Sequence, residues 1–203
     1  NGTANHHLVD AVRGVGYYIY PNLSNTQGGN GATLLLSFNS DGFTLDAGAD
    51  SNASGATGVG WSWKAGNLSN GTGVSNTDGS INSTVSANTT SGLSISKYTG
   101  TGSAGATVGH GLGVAPKMII VKGLTYADVW IVGGDNLGGW NKEMYLNSTS
   151  AVATNNNAFN GVAPTSSVFT LGSGNGTNKS GDTYIAYCFA EKQGYSKFGS
   201  YTG

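Results

Sequence analysis

The sequence predicts an all-β protein of two tandem, internally repeated antiparallel β-sandwich units, jelly-roll or lectin-like in type. Three observations carry this reading. Apolar runs are short and separated by turn residues, two of them alternate with period two, and one long phrase of the chain recurs. Gly is abundant at 35 of 203 residues and Pro is scarce at 3, while Asn, Ser and Thr crowd the gaps between apolar runs. That is the composition of many short strands joined by tight turns. Disordered chains lack aromatic and β-branched residues, whereas Trp, Tyr, Phe, Val and Ile recur here in compact runs.

The expected strands, in order, are residues 7–12, 15–20, 33–38, 43–45, 57–63, 80–87, 93–98, 118–122, 129–132, 142–146, 168–171 and 183–190. Alternation is plain in GVGWSWK and TYIAYCFAE. Successive side chains on a strand point to opposite faces, so Trp61 and Trp63 share one face, as do Tyr187 and Phe189. No segment combines a helical period with caps. A sandwich is therefore expected rather than a parallel α/β sheet.

The repeat pairs residues 40–66 with residues 166–193 at one constant register. Phe43-Thr44-Leu45 falls on Phe169-Thr170-Leu171, Asn52 on Asn178, Gly55 on Gly181 and Thr57 on Thr183. Trp61 and Trp63 fall on Tyr187 and Phe189, which predicts core positions for both tryptophans. The register continues upstream, where Tyr18-Ile19-Tyr20 meets Met144-Tyr145-Leu146. A second match, KYTGTG at 97–102 with SYTG at 200–203, has a shorter spacing. The expected organisation is a first unit at 1–66, an Asn/Ser/Thr/Gly-rich connector or hairpin at 67–92, and a second unit at 93–198. Residues 199–203 would begin a further unit or form a swapped strand.

Residues 106–123, ATVGHGLGVAPKMIIVKG, and residues 147–203, with APTSSVF and YIAYCFAEKQGYSKFGSYTG, resemble a family of phage proteins. These are repetitive tail-fibre-like or virion structural proteins of marine and environmental phages, carrying a domain of unknown function. The resemblance extends through WSWKAG and SNTDGSINSTVSANTTSGLSI. It implies a virion structural protein (tail fibre, spike or surface decoration) on an extracellular appendage, with a role in adhesion to the host surface. The implied partners are other copies of the chain, virion proteins and host surface glycans. The alternative is a carbohydrate-binding, lectin-like module outside a virion.

Charge and titratable chemistry argue against other classes. Charged residues are 9% of the chain and the formal net charge is −1, which gives nothing to attract nucleic acid or an anionic membrane. No apolar stretch approaches the roughly 20 residues of a membrane span. The single cysteine, Cys188, excludes an internal disulfide. Asp41, Asp46 and Asp50 meet Ser167, Gly172 and Gly176 in the other copy, so a glycosidase carboxylate pair is not repeated. Neighbouring His6 and His7 would point to opposite faces of a strand, and His110 lies in GHGLG, a turn. No enzyme is expected, and no cofactor, with Ca²⁺ held by Asp46, Asp50 and Asn52 as the one candidate metal site. Binding is expected from exposed aromatic and amide side chains, with Tyr126, Trp140 and Asn141 as the candidate residues.

Overall fold

The computed structural model describes residues 5–29, 34–47, 49–66 and 73–202, the side chains of Ala49 and Asp50 excepted. Twelve strands are labelled in chain order: β1 Leu35–Phe38, β2 Phe43–Leu45, β3 Val74–Asn76, β4 Ser83–Asn88, β5 Leu93–Thr99 and β6 Thr107–Gly109. They continue with β7 Met118–Gly123, β8 Ile131–Gly134, β9 Lys142–Tyr145, β10 Ala153–Thr154, β11 Val168–Thr170 and β12 Thr183–Phe189. Three single α-helical turns, α1 Ala49–Asn52, α2 Asn156–Phe159 and α3 Asn175–Asn178, and one 3-10 turn, Asp135–Leu137, interrupt them among the described residues. The protein is mostly β, and every ladder between its named strands is antiparallel.

An eight-stranded sheet in the order β10-β9-β8-β7-β12-β5-β4-β3 dominates. Strand β12 is central because both of its side-chain sets are apolar. Tyr184, Ala186 and Cys188 face one core, with Tyr98, Ile119, Val121, Phe159, Phe169 and Leu171. Ile185 and Tyr187 face another, with Ile95, Leu124 and Trp130. Each large side chain so buried contributes about 1.5–3 kcal/mol. The first core is closed by the β6–β11 ribbon and by α2. The second is closed from a distant part of the chain, by Leu8, Val12 and Ile19.

That covering segment, residues 8–28, is held by two antiparallel bridges, Leu8 with Ile19 and Tyr18 with Gly28. Buried polar groups stitch it to the sheet. The Tyr187 hydroxyl donates to Asp10 Oδ2 at 2.7 Å, and Asp10 in turn pairs with Arg13. The Trp130 indole N–H donates to the carbonyls of Tyr20 and Leu23 at 3.0 and 3.1 Å. The Lys122 ammonium donates to the carbonyls of Ser24 and Asp128 at 3.1 and 2.9 Å. Unpaired, these donors and acceptors would each cost about 1–3 kcal/mol, so they fix where the segment docks.

The two copies of the repeated phrase share local backbone but not surroundings. Strand β2 leads into α1 and then into Gly55 at φ +75°, as β11 leads into α3 and Gly181 at φ +82°. Past that glycine they diverge. Residues 183–189 form β12, whereas residues 57–63 join no ladder, which corrects the strand expected there. Trp61 and Trp63, expected in a core, are 76% and 62% exposed, because the strands that would flank and cover them are not paired with this segment. Among the described residues of 5–66 the only ladder is the β1–β2 hairpin. Strands β3 and β4 make a hairpin of the 67–92 region and extend the large sheet.

Candidate functional site

A chemically varied concavity lies beside the first core, a cleft of about 290 Å³ lined by Tyr126, Asp128, Glu143, Tyr145, Asn155, Asn157 and the 174–177 turn. Its floor comes from β9. In Lys142-Glu143-Met144-Tyr145 the period of two sets Glu143 and Tyr145 on one face. Glu143 is only 3% exposed, and its Oε1 accepts from the Tyr145 hydroxyl and the Asn155 amide, both at 2.9 Å. The hydrogen bond to Glu143 is the main reason that the Tyr145 hydroxyl holds its proton above the usual tyrosine range.

One wall comes from α2 and α3. Asn155 caps α2 by accepting from Asn157 N–H at 2.9 Å while its amide nitrogen serves Glu143, so one side chain ties wall to floor. The Thr177 hydroxyl donates to Ala158 O at 3.1 Å, and the Tyr98 hydroxyl donates to Thr177 O at 2.7 Å. Asn178, fully buried, accepts from Thr101 N–H and donates to the carbonyls of Ser103 and Gly172. This wall is therefore anchored into the core, and the cleft is shaped before any ligand arrives.

At the opposite rim Tyr126 is half-buried, with the Lys179 ammonium 4.0 Å from its ring centroid. One ring face is thus taken by a cation, and Lys179 is itself paired with Asp182 at 2.9 Å. Asp128 accepts from Val129 N–H through Oδ1, at 2.8 Å. The lining combines an aromatic ring, two carboxylates, a phenolic hydroxyl and asparagine amides. Such a set suits a polyhydroxylated ligand, with hydroxyls meeting the oxygens and amides and one apolar face meeting the ring.

Of the residues expected to bind, Tyr126 lines this cleft and Asn141 is exposed nearby, its carbonyl accepting from Asn155 N–H at 2.8 Å. Trp140 is a correction. It is 4% exposed, packs edge-on to Phe159 at 5.4 Å and donates its indole N–H to Asp135 at 2.6 Å, so its flanking glycines serve a turn over the core rather than an open surface. Asp128, Glu143, Tyr145 and Asn155 were not singled out in sequence. The alternating Glu143 and Tyr145 were the available signal.

The remaining candidates have local roles. Asp46 accepts from Ala47 N–H and Asn52 donates to Asp46 O, closing the turn around α1, while the Asp50 side chain lies outside the described residues. No group of three or more His, Cys, Asp or Glu suited to a metal ion occurs among the described residues. His110 is buried, its Nε2 3.2 Å from Thr165 O and its Nδ1 accepting from Leu112 N–H, and burial lowers its pKa. His7, Tyr18 and Tyr20 gather into one aromatic cluster with centroids 5.0–5.2 Å apart.

The sequence matches a family described as a domain of unknown function, DUF7483, over residues 1–203. Neither the curated proteins nor the solved structures contain a match.

Proposed function

We propose that this chain, which belongs to the DUF7483 family, is a structural and adhesive module of a phage appendage that holds host surface glycans without cleaving them. The carrying observation is the preformed cleft in which Tyr126 stands among Asp128, Glu143, Tyr145 and asparagine amides. The resemblance to repetitive virion proteins and the repeated strand–turn phrase support the structural half of this reading, with successive sandwich-like units in tandem. Binding at a single cleft of this size is weak, and many copies on one particle raise it through effective concentration. No metal or cofactor is invoked.

The direct test immobilises the full chain against a panel of bacterial capsular and lipopolysaccharide glycans while released reducing ends are measured. The expected result is saturable binding to some glycan, weakened about tenfold or more by Tyr126→Ala or Asn157→Ala, with no release of sugar. Saturable hydrolysis lost on Glu143→Gln or Asp128→Asn would make the protein an enzyme and end this proposal. A lectin-like module outside any virion is the alternative. It predicts the same binding, with the protein absent from purified particles.

A further inference from the structure

Strand β12 is hydrogen-bonded along both edges, to β5 from Thr183↔Thr99 to Phe189↔Leu93 and to β7 from Tyr184↔Gly123 to Phe189↔Met118. Residues 57–63 match it in sequence and follow the same strand, helical turn and left-handed glycine, yet have neither neighbour. Val59 is 80% exposed, and the Trp61 and Trp63 rings stack on each other at 6.5 Å in solvent. A segment that carries exposed large apolar side chains and joins no ladder among the described residues can accept an added strand.

A second segment lacks a neighbour in the opposite sense. Tyr98-Thr99-Gly100, at the end of β5, is matched in sequence by Tyr201-Thr202-Gly203. In the complete half, Tyr98 is 2% exposed and stacks on Tyr184 at 5.4 Å. Tyr201 is 95% exposed, and residues 199–202 belong to no strand. The chain thus carries an unfilled β12-like site and an unused β5-like strand.

We propose that residues 199–202 of one copy add antiparallel to residues 57–60 of a second copy, in the register that β5 uses on β12. Thr202 then lies across from Thr57, Tyr201 from Gly58, Ser200 from Val59 and Gly199 from Gly60. Gly58 stands where the complete half has Tyr184, so the Tyr201 ring lies over bare backbone instead of against a second ring. The same register carries Phe198 to Trp61, as Ile95 meets Tyr187. Donor and acceptor are different surfaces, so the contact is head-to-tail and propagates along an array of copies. This assembly is independent of glycan binding and stands or falls separately from it.

Mixed disulfide formation between full-length chains tests the register. Chains carrying Gly58→Cys are mixed with chains carrying Tyr201→Cys under mild oxidation. A Cβ added at Gly58 meets nothing within 4 Å, Tyr201 is almost fully exposed, and Cys188 is buried with its thiol pushed up to about 12, so neither variant disturbs the fold and the native thiol does not compete. Opposed residues of antiparallel strands lie about 4.5–5.5 Å apart at Cα, within disulfide reach. The expected result is a covalent pair containing one chain of each kind as the main oxidised product. Val59→Cys, whose side chain points to the other face from its neighbour, gives only a small fraction of that yield with Tyr201→Cys. Absence of the mixed pair, or equal yields at positions 58 and 59, overturns the proposal.

Discussion

Lys122 shows most clearly how a single residue is constrained by the way the two faces of the sheet are covered. It ends an apolar strand, is fully buried, and gives its ammonium only carbonyl partners, at Ser24 and Asp128. Burial pulls its pKa down to about 8, the Asp128 charge opposing the shift only in part. The unfolded chain holds the proton up to the ordinary lysine range, so between about pH 8 and 10 this group taken by itself binds more protons in the unfolded state and contributes stability that rises with pH. Below about 8 the charge is present in both states and the full cost of burying it, roughly 3 kcal/mol, is felt. From about pH 9 upward the gain from Lys122 is opposed, because burial keeps the Cys188 thiol, pushed up to about 12, and the Tyr98, Tyr184 and Tyr187 hydroxyls protonated in the folded state while their unfolded counterparts ionise. The Lys122 contribution is isolated by comparison with Lys122→Met: in urea unfolding at pH 7.5, 9 and 10 the native chain is expected to gain stability relative to that variant as the pH rises, and a difference that does not change with pH would contradict the assignment. In sequence, Lys122 reads as the polar end of a strand. Its burial depends on Ser24, which no local pattern connects to it.

At the scale of elements, one phrase folded into two settings separates what local sequence encodes from what packing adds. The strand, the helical turn and the left-handed glycine recur in both copies, and the alignment of Phe43 with Phe169 and Gly55 with Gly181 made that much legible. Strand identity past the glycine was not, because TGVGWSW and TYIAYCF both alternate but only the second has β5 and β7 as neighbours. Strands β3, β6 and β10 were missed for a related reason: short Ser-, Thr- and Gly-containing runs have little period of their own and become strands through the ladder they join. Most of the cleft was hidden too, since Glu143, Asn155 and Asp128 converge only when β9, α2 and the loop after β7 pack together. The same contrast predicts unequal costs at equivalent positions. Asn178→Ala removes a fully buried side chain that bonds the N–H of Thr101 and the carbonyls of Ser103 and Gly172, the last of them in the interior, and should cost about 1–3 kcal/mol. Asn52→Ala removes one exposed bond to Asp46 O and should stay within about 0.5 kcal/mol. Denaturant midpoints of the two variants check this directly, and equal losses would mean that α1 is as deeply anchored as α3.

For the whole molecule, the composition was enough to indicate short antiparallel strands, but not that residues 8–28 would close the second face of the main sheet. The buried links from Tyr187 to Asp10, from Trp130 to the carbonyls of Tyr20 and Leu23, and from Lys122 to Ser24 make that segment part of the fold rather than a separate lobe. They also leave Phe38, Phe43, Trp61 and Trp63 exposed within residues 34–66, where Leu34 and Leu35 are buried. An adhesive module and a strand-accepting module are both compatible with this contrast between a closed sheet with a polar cleft and the exposed segment 57–63. Amide hydrogen exchange on the full chain, at a concentration low enough to keep it monomeric, tests this contrast most directly. Residues 183–189 should be among the slowest to exchange and residues 57–63 should exchange at close to unprotected rates; comparable protection of the two segments would contradict it.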